Sequence, residues 1–203
     1  MTQHAIFTTR IPLVLASGSP RRKSFLDNLG LQFETLPSPV DEPEPEAGES
    51  PEAYAVRLAC LKAMDIATKH PEAAVLGSDT VVALGEVILG KPKDDADALR
   101  MLTLLSGQTH VVVTGCCLML PGGEIERFHG RTDVRMRRSG PTELEAYVAT
   151  GEPADKAGAY AIQGIGAFLV EHVEGSYTNV VGLPLARTLE VLLSWGVIAP
   201  RKG

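Results

Sequence analysis

Short apolar runs alternate along the chain with segments in which apolar residues recur every three or four positions. Leu13–Ala16 and His110–Leu120 are continuous apolar or β-branched runs, which are typical of buried strands. Segments 20–29, 50–71 and 94–107 have helical spacing instead, and each begins with a serine or aspartate cap next to its first turn. The alternation of strand and helix predicts an α/β protein.

Further elements are predicted from local signals. Val75–Leu84 and Val87–Leu89 flank a Gly85-Glu86 turn and predict two paired strands. Thr142-x-x-Glu145 predicts a capping box at the start of a helix that ends at Gly151. We also expect a half-exposed strand around 132–136, a strand near Phe168–Val170 and a final helix through Leu185, Leu189, Leu192 and Trp195.

The composition is that of a globular protein with a core. The 203 residues are 44% hydrophobic and 22% charged, which excludes a disordered or disulfide-stapled chain and favours one domain over residues 1–203. The apolar run 11–17 is too short for a signal sequence or a membrane span, so we expect no membrane contact. Three cysteines without paired spacing favour a reducing cytoplasm.

The net charge limits the partners that the protein can bind. A formal charge of −6 provides no overall attraction for nucleic acid, and the basic residues form no long stripe. A polyanionic ligand would therefore require a local basic cluster.

The sequence Ser17-Gly18-Ser19-Pro20-Arg21-Arg22 is a candidate cluster of this kind. If Ser19 caps the helix, Arg21 and Arg22 lie in its first turn, where the positive end of the helix dipole disfavours each cation by roughly 0.3–1 kcal/mol. A bound anion would reverse that sign, because free N–H groups, the Ser17 hydroxyl and both guanidinium groups would converge on it. The alternative is a solvated basic turn.

Asp79 lies within an apolar strand. Its neighbours Val75-Leu76 and Val81-Val82 predict burial, which is costly for a carboxylate unless it is paired, hydrogen-bonded or bound to a metal. Asp79 could hold a divalent cation or act as a base toward water. The alternative is a turn aspartate that bonds to its own backbone.

Other charged residues carry weaker signals. Lys91 lies between Gly90 and Pro92 and is either a second phosphate-binding cation or a surface lysine. Lys62 lies on the predicted helix that follows an acidic, proline-rich loop, Pro37–Glu49. Glu42 lies in that loop, where a carboxylate is usually solvated.

The segment Asp155–Gly164 places small residues around one amide side chain, that of Gln163. Glycine at Gly158 and Gly164 would permit a flat ligand to approach the backbone. A glutamine amide both donates and accepts, which suits the N3–H and O4 edge of uracil or thymine. The alternative is a loop glutamine facing water.

Several common site motifs are absent from the sequence. There is no phosphate-binding G-x-x-x-x-G-K-[ST] loop, no G-x-G-x-x-G fingerprint, no H-E-x-x-H metal motif and no G-x-S-x-G nucleophile.

Taken in order, the motifs resemble those of the Maf family of nucleoside triphosphate pyrophosphatases, first described as septum-formation inhibitors. The resemblance runs from about Leu13 to Trp195. It is carried by Ser17–Arg22, Gly77-Ser78-Asp79-Thr80, Gly90-Lys91-Pro92, Leu105–Thr109, Asp155–Gly164 and Gly182-Leu183-Pro184.

The resemblance implies a fold, a cofactor and an assembly. The fold would be a mixed twisted sheet with flanking helices, similar to the inosine triphosphate pyrophosphatases, with a cleft between two lobes. A divalent cation, Mg²⁺ or Mn²⁺, and commonly a homodimer would accompany it.

The resemblance also implies roles for particular residues. Asp79 would be the catalytic acidic residue, and Glu42 would be an acidic residue near the metal. The specificity positions would be Arg21, Thr80 and Gln163, and the phosphate-binding cations Arg22, Lys62 and Lys91. The Ala-Ile-Gln-Gly run is similar to the branch acting on dTTP and UTP.

Two functions remain open at this point. The first is hydrolysis of nucleoside triphosphates, dTTP and UTP among them, to the monophosphate and pyrophosphate, which would cleanse the nucleotide pool. The second is a regulator of septum formation that binds nucleotide without turnover, which would need the same anion pocket but not Asp79.

Overall fold

The computed structural model describes residues 5–201, which form nine strands and six α-helices. In chain order they are β1 (Phe7–Thr9), β2 (Leu13–Ala16), α1 (Pro20–Asn28), β3 (Glu34–Thr35), α2 (Pro51–Ala67), β4 (Ala74–Leu84), β5 (Val87–Leu89), α3 (Asp95–Leu105), β6 (Thr109–Met119), β7 (Ile125–Met136), α4 (Pro141–Val148), β8 (Val170–Glu174), α5 (Tyr177–Val181), α6 (Leu185–Ser194) and β9 (Ile198–Pro200). Short 3-10 turns cover Glu152–Asp155, Ala157–Ala159 and Ile165–Leu169.

The main sheet is mixed, as expected. Its strand order is β3-β2-β4-β6-β7-β8, with β5 added to β4. The pairs of β2 with β3 and with β4 are parallel, and the other pairs in this sheet are antiparallel. Strands β1 and β9 form a separate antiparallel pair.

One edge of β4 is interrupted. Strand β2 pairs with Ala74–Gly77, and β5 pairs with Val82–Leu84 on the same edge, because β6 occupies the other edge from Val75 to Ala83. Within residues 5–201, positions 78–81 therefore have no strand on that edge. This gap in the sheet opens the floor of a cleft.

Helix α2 lies very close to one face of the sheet. A Cβ atom at Gly77 would lie 2.2 Å from the carbonyl oxygen of Ala59, and one at Gly115 would lie 2.2 Å from the carbonyl carbon of Ala55. Two glycines in the strands and small residues along the helix thus permit an approach that larger side chains would block. Below, this approach brings Lys62 of α2 to Asp79 of β4.

Two apolar cores flank the cleft. One lies where α1 and α6 pack on the sheet, and it includes Leu15, Leu26 and Leu192. The other joins α3 and α4 to the far ends of β4 and β6, with Leu102 and Tyr147 fully or almost fully buried. These cores are the centres of the two expected lobes.

Some predicted boundaries are wrong. Helix α4 begins at Pro141 with Gly140 as its cap, and Glu143 rather than Glu145 accepts the cap N–H at 2.9 Å. Proline at the first helical position places the cap two residues earlier than Thr142. The strand expected near Phe168–Val170 begins only at Val170, as β8. The preceding residues Ile165–Leu169 form a 3-10 turn, whose first two N–H groups donate to Glu152.

No helix among residues 5–201 has the length and apolar character needed to cross a bilayer.

Candidate active site

A cleft of about 420 Å³ lies at the gap in β4, between α1, α2 and the loops that follow β5 and α4. The structure brings every sequence-predicted site residue into its lining: Ser17, Arg21, Arg22, Glu42, Lys62, Asp79, Thr80, Lys91 and Gln163. Their individual roles stay predictions.

The cleft has a positive balance of charge although the whole chain is acidic. Among residues 5–201, five basic side chains and three carboxylates line it: Arg21, Arg22, Lys62, Lys91 and Lys156, with Glu42, Asp79 and Asp155. The local basic cluster that a polyanion would require is therefore present.

Arg22 is buried against the interrupted edge of β4. Its Nη1 group donates to Ser17 Oγ at 2.9 Å and to the Ser78 carbonyl at 2.8 Å, Nε donates to the Gly182 carbonyl at 2.7 Å, and Nη2 donates to Thr80 Oγ1 at 3.0 Å. Burial lowers the pKa of Arg22, an effect that the nearby charge of Asp79 opposes. Because four of its five N–H groups are engaged by the protein, Arg22 mainly shapes the cleft and contributes positive charge to it.

Arg21 points differently from its neighbour. It is half-buried, and its Nε donates a long hydrogen bond of 3.4 Å to the carbonyl of Val181. Consecutive helical residues are about 100° apart around the axis, so α1 turns Arg22 to the sheet and Arg21 to the mouth of the cleft. Ser19 caps this helix as predicted, accepting the N–H of Arg22.

Lys62 lies between two carboxylates. Its Nζ is 2.5 Å from Asp79 Oδ1 and 2.7 Å from Glu42 Oε1. Burial disfavours the charged form of Glu42, but the hydrogen bond and charge of Lys62 outweigh this effect and lower its pKa. Only 12% of the Asp79 side chain is exposed, so the loop residue Glu42 and the strand residue Asp79 converge on one point at the cleft wall.

This convergence fits the expected divalent cation. Mg²⁺ prefers oxygen ligands and is often held by one or two carboxylates together with substrate phosphates. Glu42 and Asp79 supply that number of carboxylates around a position now bridged by an ammonium group. Within residues 5–201 no third histidine, cysteine or acidic side chain joins them, so the remaining ligands would come from substrate and water.

Gln163 lies on a loop that is clamped on both sides. The Glu152 carboxylate accepts the N–H groups of Ile165 at 2.9 Å and Gly166 at 2.7 Å, and the Tyr147 hydroxyl accepts the N–H of Ala161 at 3.2 Å. Burial raises the pKa of Glu152, but the N–H groups of Ile165 and Gly166 and the Tyr147 hydroxyl lower it overall. The clamp leaves Gln163 exposed at the cleft.

Sequence reasoning missed Lys156 and Tyr54. Lys156 lines the cleft with 15% of its side chain exposed, beside Asp155, and Tyr54 reaches the cleft from α2. The Lys156 signal was available, since this lysine lies at the start of the small-residue run that ends at Gln163. Tyr54 gave no separate signal, because its helical spacing marks it as a core residue.

Comparisons with known proteins agree with this fold. A dTTP/UTP pyrophosphatase of Nitratidesulfovibrio vulgaris is 55% identical over 193 residues, which cover 95% of this chain and 91% of that protein. A dTTP/UTP pyrophosphatase of Oleidesulfovibrio alaskensis is 53% identical over 196 residues, covering 96% and 90%. A HAM1 protein from Coxiella burnetii has a similar fold, with a TM-score of 0.51 at 18% identity over 91% of this chain and 100% of that chain.

The fold expectation is therefore confirmed. The family description "Maf-like protein" matches residues 12–195, and the chain belongs to the Maf family.

Proposed function

We propose that the protein hydrolyses nucleoside triphosphates, with dTTP and UTP as its substrates, to the nucleoside monophosphate and pyrophosphate. The observation that carries the proposal is a nearly buried acid, Asp79, at the gap in β4, inside a cleft with more basic than acidic side chains. The names of the relatives, which are about half identical to this chain over more than nine-tenths of its length, support the same reaction.

In the reaction, a water oxygen attacks the α-phosphorus and the bond from that phosphorus to the bridging α–β oxygen breaks. In this proposal, Asp79 accepts a proton from the water or holds a cation beside it. The leaving pyrophosphate takes the bridging oxygen with its electron pair. Its growing negative charge is stabilised by cations that are already in place.

The cations divide into two groups. Lys62 Nζ contacts Asp79, whereas Arg21, Lys91 and Lys156 line the rest of the cleft. Arg22 adds charge and, among the contacts of residues 5–201, keeps one Nη2 N–H free for a phosphate oxygen.

Mg²⁺ or Mn²⁺ is the cofactor that we propose, held by Glu42 and Asp79. When bound, such an ion would neutralise phosphate charge and polarise the phosphorus–oxygen bonds. Gln163, on its clamped loop, is proposed to recognise the base edge. Cleansing of the nucleotide pool, a homodimer, a cytoplasmic location and one domain over residues 1–203 complete the proposal.

The test is Asp79→Asn assayed with dTTP and UTP and Mg²⁺, with the products identified. We expect pyrophosphate release to fall by at least about 100-fold. Asp27→Asn, on the outer face of α1 where it pairs with Lys23, is the matched control and should keep its activity.

Near wild-type release by Asp79→Asn would remove this residue from the mechanism. Orthophosphate as the product would move the cleavage to a different bond. Tight nucleotide binding by the wild-type protein without turnover, in every divalent metal tried, would favour the non-catalytic regulator instead.

A further inference from the structure

The hydroxyl group of Thr80 is engaged from two sides. Arg22 Nη2 lies 3.0 Å from Thr80 Oγ1, and Thr114 Oγ1 lies 2.9 Å from it. Thr80 and Thr114 are directly opposed in the pairing of β4 with β6. Thr80 is half-buried and lines the cleft, whereas Thr114 is fully buried behind it.

The directions of these hydrogen bonds follow from the contact between Thr114 and the backbone of Asn179. Thr114 Oγ1 lies 2.9 Å from the carbonyl oxygen of Asn179, which can only accept, so Thr114 uses its one proton there. In the contact between the two threonines, Thr80 must then be the donor. Since the Arg22 guanidinium can only donate, Thr80 also accepts from Arg22.

Arg22, Thr80, Thr114 and the backbone carbonyl of Asn179 thus form a hydrogen-bond relay, and its accepting end is rigid. The Asn179 side chain is fully buried and its Nδ2 group donates to the Val112 carbonyl and to Thr132 Oγ1, both at 3.0 Å. The backbone carbonyl of Asn179 therefore cannot turn away from Thr114 without breaking the side-chain contacts of Asn179 to two strands. The relay runs one way, from Arg22 through Thr80 and Thr114 to Asn179.

We propose that Thr114 is a positioning residue that fixes Thr80 as a hydrogen-bond acceptor for the bound nucleotide. A hydroxyl group has one proton and two lone pairs. The proton of Thr80 goes to Thr114 and one lone pair is used by Arg22, so the cleft meets the second lone pair. This inference rests on the proposed function and adds a basis for the choice of substrate.

The ligand group that Thr80 selects is a hydrogen-bond donor. In a thymidine or uridine nucleotide, the donors are the base N3–H and the sugar hydroxyl groups. Cytosine has an unprotonated N3, so at this ring position its lone pair would face the lone pair of Thr80. A dideoxynucleotide lacks the sugar donor.

The experiment is a double-mutant cycle on nucleotide binding. Non-hydrolysable α,β-imido analogues of dTTP, dCTP and dideoxy-TTP are titrated calorimetrically into the wild-type protein and into Thr80→Val, Thr114→Val and the double variant. Thr114→Ser is the matched control, since it keeps the hydroxyl group. Release of pyrophosphate from dTTP by the wild-type protein is measured separately, so that failure of the proposed function is seen independently of the relay.

We expect Thr114→Val to weaken binding of the dTTP analogue by about three- to tenfold, the loss of one neutral hydrogen bond. In the Thr80→Val background the same substitution should change affinity by less than twofold, because Thr114 acts through Thr80. Thr114→Ser should bind as the wild type does. The analogue whose affinity is insensitive to Thr80→Val identifies the donor: dCTP for N3–H, dideoxy-TTP for a sugar hydroxyl.

An equal effect of Thr114→Val in both backgrounds would overturn the proposal, since a purely structural role does not depend on Thr80. Loss of affinity in Thr114→Ser, or no loss in Thr114→Val, would do the same. If Thr114→Val does not fold, Thr114→Ala enters the same cycle with the same criteria.

Discussion

Lys62 Nζ lies 2.5 Å from Asp79 Oδ1, and the same ammonium group also binds Glu42. A side chain from α2 is thus held directly against the acid of β4 at the cleft wall. Lys62 can reach Asp79 because Gly77 and Gly115 let α2 approach the sheet closely. The environment of the acid that we propose to be catalytic therefore depends on α2, a helix that precedes β4 in the chain.

Replacing Lys62 by methionine should leave Asp79 and Glu42 without the cation between them. We expect kcat/KM for dTTP to fall by about 100- to 1,000-fold, the usual loss when one preorganised donor is removed from a site. Lys69→Met is the control, because Lys69 lies exposed just beyond the end of the same helix, where it pairs with Asp65. Equal activity of the two variants would contradict a role for Lys62 in the site.

Replacement of Arg22 and of Arg21 by lysine should differ in its effect on the free energy of unfolding. Arg22→Lys loses the planar donor set that holds Ser78, Thr80 and Gly182, so the free energy of unfolding should fall by about 2–4 kcal/mol. Arg21→Lys should change it by less than about 1 kcal/mol. Urea unfolding measures both. Similar stabilities of the two variants would show that the hydrogen bonds of Arg22 do not anchor the cleft.

The close approach of α2 predicts a large effect for one added methyl group. Gly115→Ala places a Cβ atom against the backbone of Ala55, which cannot move alone, and should destabilise the protein by about 1–3 kcal/mol. Gly90→Ala, where a Cβ atom meets nothing within 4 Å, is the stability control. Melting temperatures compare the two. A Gly115→Ala protein as stable as wild type would mean that the helix has room to shift.

Stability should fall in mild acid because of His110. Burial lowers its pKa from 6.5 to about 4, and its Nε2 lies 2.8 Å from the Tyr160 hydroxyl. Above pH 6.5 the histidine is neutral in both states and has no effect. Between pH 6.5 and 4 only the unfolded chain takes up the proton, so up to about 3 kcal/mol of stability is lost, and the loss is constant below pH 4.

Urea unfolding of wild type and His110→Gln at pH 7.5 and pH 5 measures this loss. The carboxylates with lowered pKa, such as Glu42 and Glu143, weaken both proteins alike in acid. The wild-type protein should therefore lose more stability than the variant. Parallel pH profiles would exclude His110 as the source.

Local patterns were enough to predict most of the framework. The Ser19-Pro20 start of α1, the Gly85 turn and the long apolar strand from His110 all lie within a few residues of where the structure has them. The error at α4 arose because two overlapping caps compete, and the proline at position 141 decides between them. Short elements such as β1, β3 and α5 have too few residues to form a period.

The sequence was enough to predict several of the residues that line the cleft, but not how their side chains contact one another. Burial of Asp79 follows from its apolar neighbours, and the convergence of Arg21 and Asp79 was expected from the family resemblance. The contact of Lys62 with Asp79 depends on how α2 crosses the sheet, which no local pattern contains. For the same reason, the engagement of Arg22 by Ser78 and Gly182 could not be foreseen from its place in the first helical turn.

The gap in the sheet beside residues 78–81 lets two successive residues of one strand, Asp79 and Thr80, line the same cleft. Asp79 faces α2 and Thr80 faces α1, and on a fully paired strand a layer of backbone would separate them. The spacing of the two groups is therefore set by a single peptide unit. Insertion or deletion of one residue ahead of this point in β4 would turn Asp79 and Thr80 to the opposite walls, and it would also turn the buried Val81 and Val82 to the opposite faces of the sheet.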